Sequence, residues 1–504
     1  MTVVSSAQPH GVITGRIVTE EGAGLPGITL TIQPYSDGSP SGPGASSKTA
    51  TSDAEGNFQF TNLPPRSYTI SLQSARGYVL ETPFNPSQQK LYRIGDSVSI
   101  RMVKGGVITG RVLDANENPV IGIYVTAIRI RDTEGKKTDV SGFSRMRLTD
   151  DRGIYRIYGL RPGTYLIAAN FGLPTGRTMS AYGDQSPTFH PSSTLDTAAQ
   201  LTLSTGAELT DVDIRHRGSR GYAISGKVVG GNTSSGNFTS VSTIILYSVQ
   251  SGALVGLTYT LRSGDESAFA IYSIADGDYE AVASGGGTNG DDYFRSEPRR
   301  ITVRGSDVTG VELRLLPMAS IAGNVVLETK PACDPNQKTE AEEIAVTTRI
   351  DEKPKAESPS PTPIHLPTIA ANEKGEFRLV NLPPGRHRLE ARLPNENLFI
   401  KSIAAKSASA LPATANSKLS AVTDLARSGA LLKPGERLNG VTVTIADGAA
   451  SVRGKVAPAK DGSKLPARLR VFLVPAEPTA AEDVLRYGEV LTSDGSFAFT
   501  NFAP

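Results

Sequence analysis

Apolar and polar side chains alternate along this chain in short runs, and each run ends at a cluster of glycine, proline or acidic residues. Residues 150–169 show the pattern best. Asp150 to Gly153 reads as a turn, with Asp at a first turn position and Gly at a last one. Tyr155, Ile157 and Leu160 then nearly alternate with polar neighbours, as in a half-buried strand. Pro162-Gly163 is a second turn, and Tyr165 to Ala169 reads as a return strand, so the unit is predicted to be a β-hairpin with a Pro-Gly tip.

The unit recurs. Asp53-Ala-Glu-Gly-Asn-Phe58 leads to Leu63-Pro-Pro-Arg-Ser-Tyr68, and Asn372-Glu-Lys-Gly-Glu-Phe377 leads to Leu382-Pro-Pro-Gly-Arg-His387. Ser493-Asp-Gly-Ser-Phe497 leads to Phe502-Ala-Pro504. A weaker copy starts at Asp265, where Ser267 replaces the turn glycine, so this copy is expected to turn differently. A second signature precedes each unit: an apolar strand with one glycine inside it, at Gly15, Gly110, Gly226, Gly323 and Gly454. A glycine there predicts a bulge or a close backbone approach. The spacings are 95, 116, 97 and 131 residues. That is the scale of domains, not of a solenoid.

The prediction is therefore an all-β chain of five tandem β-sandwich domains in a beads-on-a-string array, the last truncated. The boundaries are 1–104, 105–218, 219–317, 318–448 and 449–504. Strands are expected over Val12 to Val18, Ser97 to Val103, Val120 to Ala127, Thr243 to Tyr247 and Gly440 to Ile445, and Leu25 to Ile32 reads as a turn into a further strand. Only Lys104-Gly105 separates the first closing strand from the next opening one, which favours a stiff, end-to-end joint. Residues 36–48 and 351–367 read as loops, 171–200 as a longer loop, and 401–430 as a short helix or a loop.

Composition narrows the function classes. With 51 Gly and 33 Pro in 504 residues, short strands and turns are favoured over long helices. A net charge of +2 from 52 basic and 50 acidic residues gives no basic stripe for nucleic acid. The single cysteine, Cys333, cannot form an internal disulfide or a cysteine metal site. No run of 18 apolar residues is present, so no transmembrane helix is expected. Ser5-Ser6-Ala7 fits the small-x-Ala pattern before a signal cleavage site, so Met1 reads as a late start within a longer, exported precursor; the plain alternative is an ordinary N-terminus. The last unit stops at Ala503-Pro504, so continuation past Pro504 is expected, with 449–504 poorly stable alone.

The glycine-bearing strand, Asp-x-x-Gly-x-Phe/Tyr and Leu-x-Pro-Gly-x-Tyr together resemble the carboxypeptidase regulatory-like domain, a transthyretin-like module, over nearly the whole chain. The resemblance implies an immunoglobulin-like or carbohydrate-binding-like sandwich with a non-catalytic role. The chain is also similar to the collagen-adhesin B-type repeats of bacterial stalks, some of which form Lys–Asn isopeptide links. No matching set is found, since Gln73 stands where an acid would be needed.

Candidate chemistry is sparse. The five histidines are His10, His190, His216, His365 and His387, and none lies in a zinc-protease spacing. His387 holds the aromatic position of its unit and reads as packing. His190, with Tyr182 and Phe189 in the long loop, is a weaker candidate for ligand contact. Gly221 to Lys227 misses a phosphate loop, because Val228 and a strand follow. The acidic turns Asp53–Gly56, Asp150–Gly153 and Asn372–Gly375 offer too few oxygens for calcium and read as turn chemistry. Asp291-Asp292 beside Tyr293-Phe294 is the most ligand-like cluster, since aromatics beside carboxylates can stack on and hydrogen-bond a sugar, against the plainer reading of a solvated loop. No residue is assigned a catalytic, cofactor-binding or metal role, and no cofactor is implied. The expected function is a non-catalytic extracellular or periplasmic adhesion, spacer or binding protein, meeting polysaccharide or a surface protein through its loops. Alternatives are a carbohydrate-binding protein or an accessory region of a larger carboxypeptidase-type enzyme or receptor.

Overall fold

A computed structural model describes residues 11–35, 47–75, 77–80, 91–136, 138, 145–171, 182–231, 240–262, 266–286, 293–328, 339–351, 366–406, 422–458, 465, 469–476, 485, 488–492 and 495–504. Among them the chain is all-β, with one short α-helix at Leu425–Ser428. No helix there is long and apolar enough to cross a membrane.

The strand pairings fall into five successive blocks. In the first, the opening strand Gly11–Val18 lies between Asn57–Leu63, antiparallel, and Ser97–Lys104, parallel. A facing sheet holds Lys48–Thr51, Thr29–Pro34 and Tyr68–Ser74. The plan repeats: Gly106–Leu113 lies between Ile154–Leu160 and the parallel pieces Glu208–Leu209 and Ile214–Arg215. Tyr222–Gly230 lies between Glu266–Ile274 and parallel Val308–Pro317, and Ala319–Glu328 between Glu376–Leu382 and parallel Arg437–Asp447. In the third block Tyr293–Ser296 pairs with strands of both layers and joins them into one sheet. The fifth block pairs Ala450–Lys455 with Ser496–Phe502, and Leu469–Leu473 with Gly488–Thr492.

The expected β-hairpin is not one. Ile154–Leu160 belongs to the sheet of the opening strand, and Gly163–Ala169 to the facing sheet. The reason is one residue that sequence reading passed over. Asn62, Gly159, Ser273, Asn381 and Asn501, each just before the Leu, Ile or Phe that ends its strand, have φ between 56° and 68°. Each sits where the antiparallel register slips. A left-handed residue in a bulge bends the strand out of its sheet. Prolines follow at 64–65, 162 and 383–384, where they cannot donate to a ladder. The chain crosses the sandwich instead of doubling back.

An aromatic residue closes each crossing. Tyr68 donates its hydroxyl to the Pro64 carbonyl at 2.7 Å, Tyr165 to Arg161 at 2.7 Å and Tyr279 to Ala275 at 2.8 Å. His387 takes the same place, with Nε2 2.7 Å from the Pro383 oxygen, and is fully buried. Its packing role is as expected from its position in the repeat. Burial pushes the Tyr68 and Tyr165 phenols up to about 12. Tyr165→Phe should cost about 1–2 kcal/mol, because it leaves a partly buried carbonyl unpaired; a chemical-denaturation midpoint equal to that of the parent would refute this.

The opening-strand glycines are close approaches. A Cβ on Gly15, Gly110, Gly226 or Gly323 would stand 2.4, 2.2, 1.8 or 2.0 Å from the carbonyl oxygen of Val98, Val212, Val311 or Val441; three of these valines are on closing strands and Val212 lies between the pieces Glu208–Leu209 and Ile214–Arg215. The Asp-x-x-Gly-x-aromatic residue lies on the same glycine: a Cβ on Gly15 would also meet the Phe58 ring, and Tyr155 donates its hydroxyl to the Val212 oxygen. The other predicted strands also form, with Tyr124–Arg131 starting later than expected. Of 401–430, residues up to Lys406 are strand and 425–428 are helix. Asp265 lies outside the described residues, and Ser267, in the turn glycine's place, lies within the strand Glu266–Ile274 opposite Val228.

Candidate functional site

The groups singled out by chemistry are mostly absorbed by structure. The Asp53 carboxylate accepts from the Glu55 and Asn57 amides at 3.1 and 2.7 Å, and these bonds hold its pKa down. Asp150 accepts from Arg152 and Ile154, and Asn372 from Lys374 and Glu376. Asp114 and Asp132 cap turns in the same manner. Among the described residues no group of three His, Cys, Asp or Glu is placed to hold a metal. Lys227 pairs with Glu266 at 2.9 Å on a strand, and no helix follows Gly221–Lys227. His10, His365, Cys333 and Asp291-Asp292 lie outside the described residues, as does the Gln73 side chain.

The aromatic loop of the second block forms a seam. Phe189 is 2% exposed and packs edge-to-face on Phe171, with centroids 5.4 Å apart. Ile128, Leu166 and Ala168 complete this cluster with Ala253, and Val255 packs against it, both from the third block. Polar bonds flank it: Ser273 donates to the Gly183 carbonyl, and the Gly221 amide to Asp184 at 2.9 Å. His190 sets its Nδ1 on the Asp213 carbonyl at 2.6 Å. Phe189 thus packs into the seam with the third block, while Tyr182 donates to the Ile121 carbonyl and His190 sits on the Asp213 carbonyl, both within the second block.

His216 lies beside this seam. Its Nε2 is 2.6 Å from the Gln185 side-chain oxygen, Tyr182 stacks edge-on, and its Nδ1 is buried with no hydrogen-bond partner. Burial lowers its pKa. The folded state therefore prefers the neutral ring, and this contribution is complete above the ordinary imidazole value of about 6.5 and lost as pH falls below it. Amides in 182–221 should exchange faster at pH 5.5 than at 7.5, beyond the intrinsic pH effect. His216→Met should abolish that difference, since Met102 fills the same place in the first block; equal sensitivity in both proteins would dismiss His216 as the cause.

A second contact joins blocks distant in sequence. Arg66, at the first crossing, is 2.9 Å from Glu342 and 3.2 Å from Glu373 of the fourth block. The Ser67 amide donates to the Glu342 carbonyl at 3.3 Å and its hydroxyl to Glu343 at 3.1 Å. Tyr35 donates to the Thr368 carbonyl. Burial raises the Glu342 and Glu343 pKa values, with Arg66 opposing the rise at Glu342. The array is thus not purely nearest-neighbour: its first block is clasped to its fourth.

The model of the carboxypeptidase regulatory-like domain matches residues 12–90. Colossin-A of Dictyostelium discoideum is 25% identical over 182 residues, which is 32% of this chain and 2% of that protein's length. The Bacillus anthracis TIE protein aligns at 14% identity and a TM-score of 0.16, covering 60% of this chain and 50% of that one. A minor pilin of Streptococcus agalactiae aligns at 16% identity and a TM-score of 0.22, covering 41% of this chain and 96% of the pilin. The streptococcal ancillary pilin aligns at 12% and 0.17, covering 61% and 99%. Residues 12–90, with the glycine-bearing strand, the acidic turn and the tyrosine-closed crossing, are the stretch that matches the carboxypeptidase regulatory-like domain.

Proposed function

We propose that the chain is a non-catalytic spacer and binding array of an extracellular or periplasmic protein, built from five domains at 1–104, 105–218, 219–317, 318–448 and 449–504. The observation that supports this most is the parallel pairing of opening and closing strands in four blocks. Parallel neighbours make the chain come in at one end of a domain and leave at the other, so each domain adds its length to the array. Tension applied through the chain ends loads that strand pair in shear, along its whole hydrogen-bond ladder. The tyrosine-closed crossings and satisfied turn acids fit a load-bearing unit with no reactive centre.

The test is to pull the purified chain by its ends in an optical trap. Serial unfolding steps, each releasing roughly a hundred residues, are expected, preceded by a smaller release as the clasp gives way. Unfolding at a few piconewtons without steps would count against a spacer. Turnover of a peptide or polysaccharide, abolished by a single substitution, would replace the reading with an enzyme.

A further inference from the structure

Arginines gather at the crossing of the second block with no carboxylate among them. The Arg145 guanidinium carbon is 3.3 Å from where a Cβ on Gly159 would stand, and the Arg129 Nε is 2.6 Å from where one on Gly163 would stand. Arg161 lies between these glycines in the chain and donates from Nε to the Leu80 carbonyl of the first block at 3.2 Å. Arg147 lies over the Tyr158 ring, 4.7 Å from its centroid, and Tyr158 is 49% exposed. Arg111, Arg152, Arg156 and Arg215 of the same block each have a carboxylate, whereas among the described residues Arg129, Arg145, Arg147 and Arg161 have none. Arg129 donates from Nη2 to the Pro162 carbonyl, and its Nε is buried with no hydrogen-bond partner. Burial, and then the charges of Arg129 and Arg145, lower the Arg161 pKa, so the gathering opposes folding.

The fold does not need this charge. Arg161 supplies the carbonyl that meets the crossing aromatic, and Pro64, Ala275 and Pro383 do the same in the other blocks. Arg129 pairs with that aromatic across the facing sheet, where the other blocks have Pro34, Ser248 and Ile350. The place of Arg145 is held by Lys48 in the first block and Gly256 in the third. Lys48 donates to the Thr61 and Asn62 carbonyls, so even that cation is engaged within its block. Three guanidiniums that repel one another, at places other blocks fill with small or apolar residues, have their use outside the sandwich.

We propose that Arg129, Arg145 and Arg161, with Tyr158 beside them, bind the carboxylate or sulfate groups of an acidic polysaccharide. Planar guanidiniums grip such oxyanions through paired N–H donors, and a bound oxyanion would relieve both their repulsion and the unpartnered Arg129 Nε. The half-exposed Tyr158 ring offers an apolar surface to a sugar ring next to the cations. An acidic peptide brings carboxylates on flexible stems and no flat face to lay on Tyr158. The proposal supplies a ligand class to the binding-array reading and rests on it.

The probes are polygalacturonate and dextran sulfate, immobilised on a biosensor, with neutral dextran and poly-L-glutamate alongside and the 504-residue chain as analyte. Saturable binding to one or both acidic polysaccharides is expected, stronger than to poly-L-glutamate, and none to dextran. Arg129→Ser with Arg145→Ser should weaken it about tenfold, as expected for the loss of charge-assisted hydrogen bonds, without lowering the urea midpoint of the second block. Tyr158→Ala should weaken polysaccharide binding several-fold. Arg152→Gln with Arg156→Gln removes the same charge from the same block and should leave binding unchanged. Absence of binding to both acidic polysaccharides, equal loss in the two double variants, or poly-L-glutamate bound as tightly as the polysaccharides would each overturn the proposal. The spacer reading fails separately, since none of these results alters stepwise unfolding under load.

Discussion

Gly226→Ala unfolds the third block at ordinary temperature, or lowers its stability by about 3 kcal/mol or more, as expected when a backbone carbonyl stands where a side chain must go. The added Cβ would be 1.8 Å from the Val311 oxygen, and that oxygen belongs to a strand held in parallel register from Val308 to Leu315. Neither partner is a flexible side chain, so relief requires the strands to part. The same substitution at Gly323, Gly110 and Gly15 should be severe in that order, following distances of 2.0, 2.2 and 2.4 Å. Gly454→Ala should be the mildest, since it meets only the Phe497 ring, which can tilt. Gly305→Asn is the control: it lies in the same block at φ 66° with nothing within 4 Å of its Cβ position, and asparagine tolerates that conformation. Urea titration followed by hydrogen exchange resolves the blocks. A Gly226→Ala midpoint within error of the parent would mean that the closing strand does not lie on the glycine.

Arg66→Glu opens the clasp between the first and fourth blocks. The substitution removes a cation shared by Glu342 and Glu373 and brings a third carboxylate among them. Juxtaposed like charges cost on the order of a few kcal/mol where they are partly desolvated, and the hydrogen bonds of Ser67 and Tyr35 oppose the separation. The radius of gyration from solution scattering should rise, while each block keeps its own unfolding transition. An unchanged scattering profile would show that the contact is held by other groups. The pH response has a definite sign. Glu342 and Glu343 have raised pKa values in the closed form because of burial, so the closed form binds protons more tightly than the open one. The clasp should therefore hold, and tighten, as pH falls from neutrality toward the carboxylate range, although an ion pair is part of it.

Much of the sandwich was legible because its rules are local. The glycine inside an alternating run announced a close backbone approach, and four valine carbonyls make that approach. The acid-to-glycine turns announced themselves as well, and their carboxylates are occupied by amides two and four residues on. His387 could be placed in a tyrosine's role by alignment with its sister units, and it makes the tyrosine's hydrogen bond. The direction of the chain after each strand was not legible. It depends on one left-handed residue, and Asn62, Gly159, Ser273, Asn381 and Asn501 look like ordinary strand-end polar residues unless the five copies are read in register. The seams were hidden for another reason: Arg66 and Glu342 are 276 positions apart, and no periodicity connects them. Phe189 had no local feature to separate a packing aromatic from a ligand-facing one.

At three of the joints the strands leave almost no slack, whereas six residues, 216–221, separate the second block's last strand from the third block's first. Lys104 is followed at Gly106 by the next opening strand, Pro317 by Ala319, and Asp447 by Ala450. Extended backbone turns its side chains through half a revolution per residue. Joint length consequently sets a phase: one residue gained or lost at Gly105 or Met318 would rotate everything downstream about the long axis by a large fraction of a circle. The first and fourth blocks face each other only because the azimuths of three successive joints sum correctly.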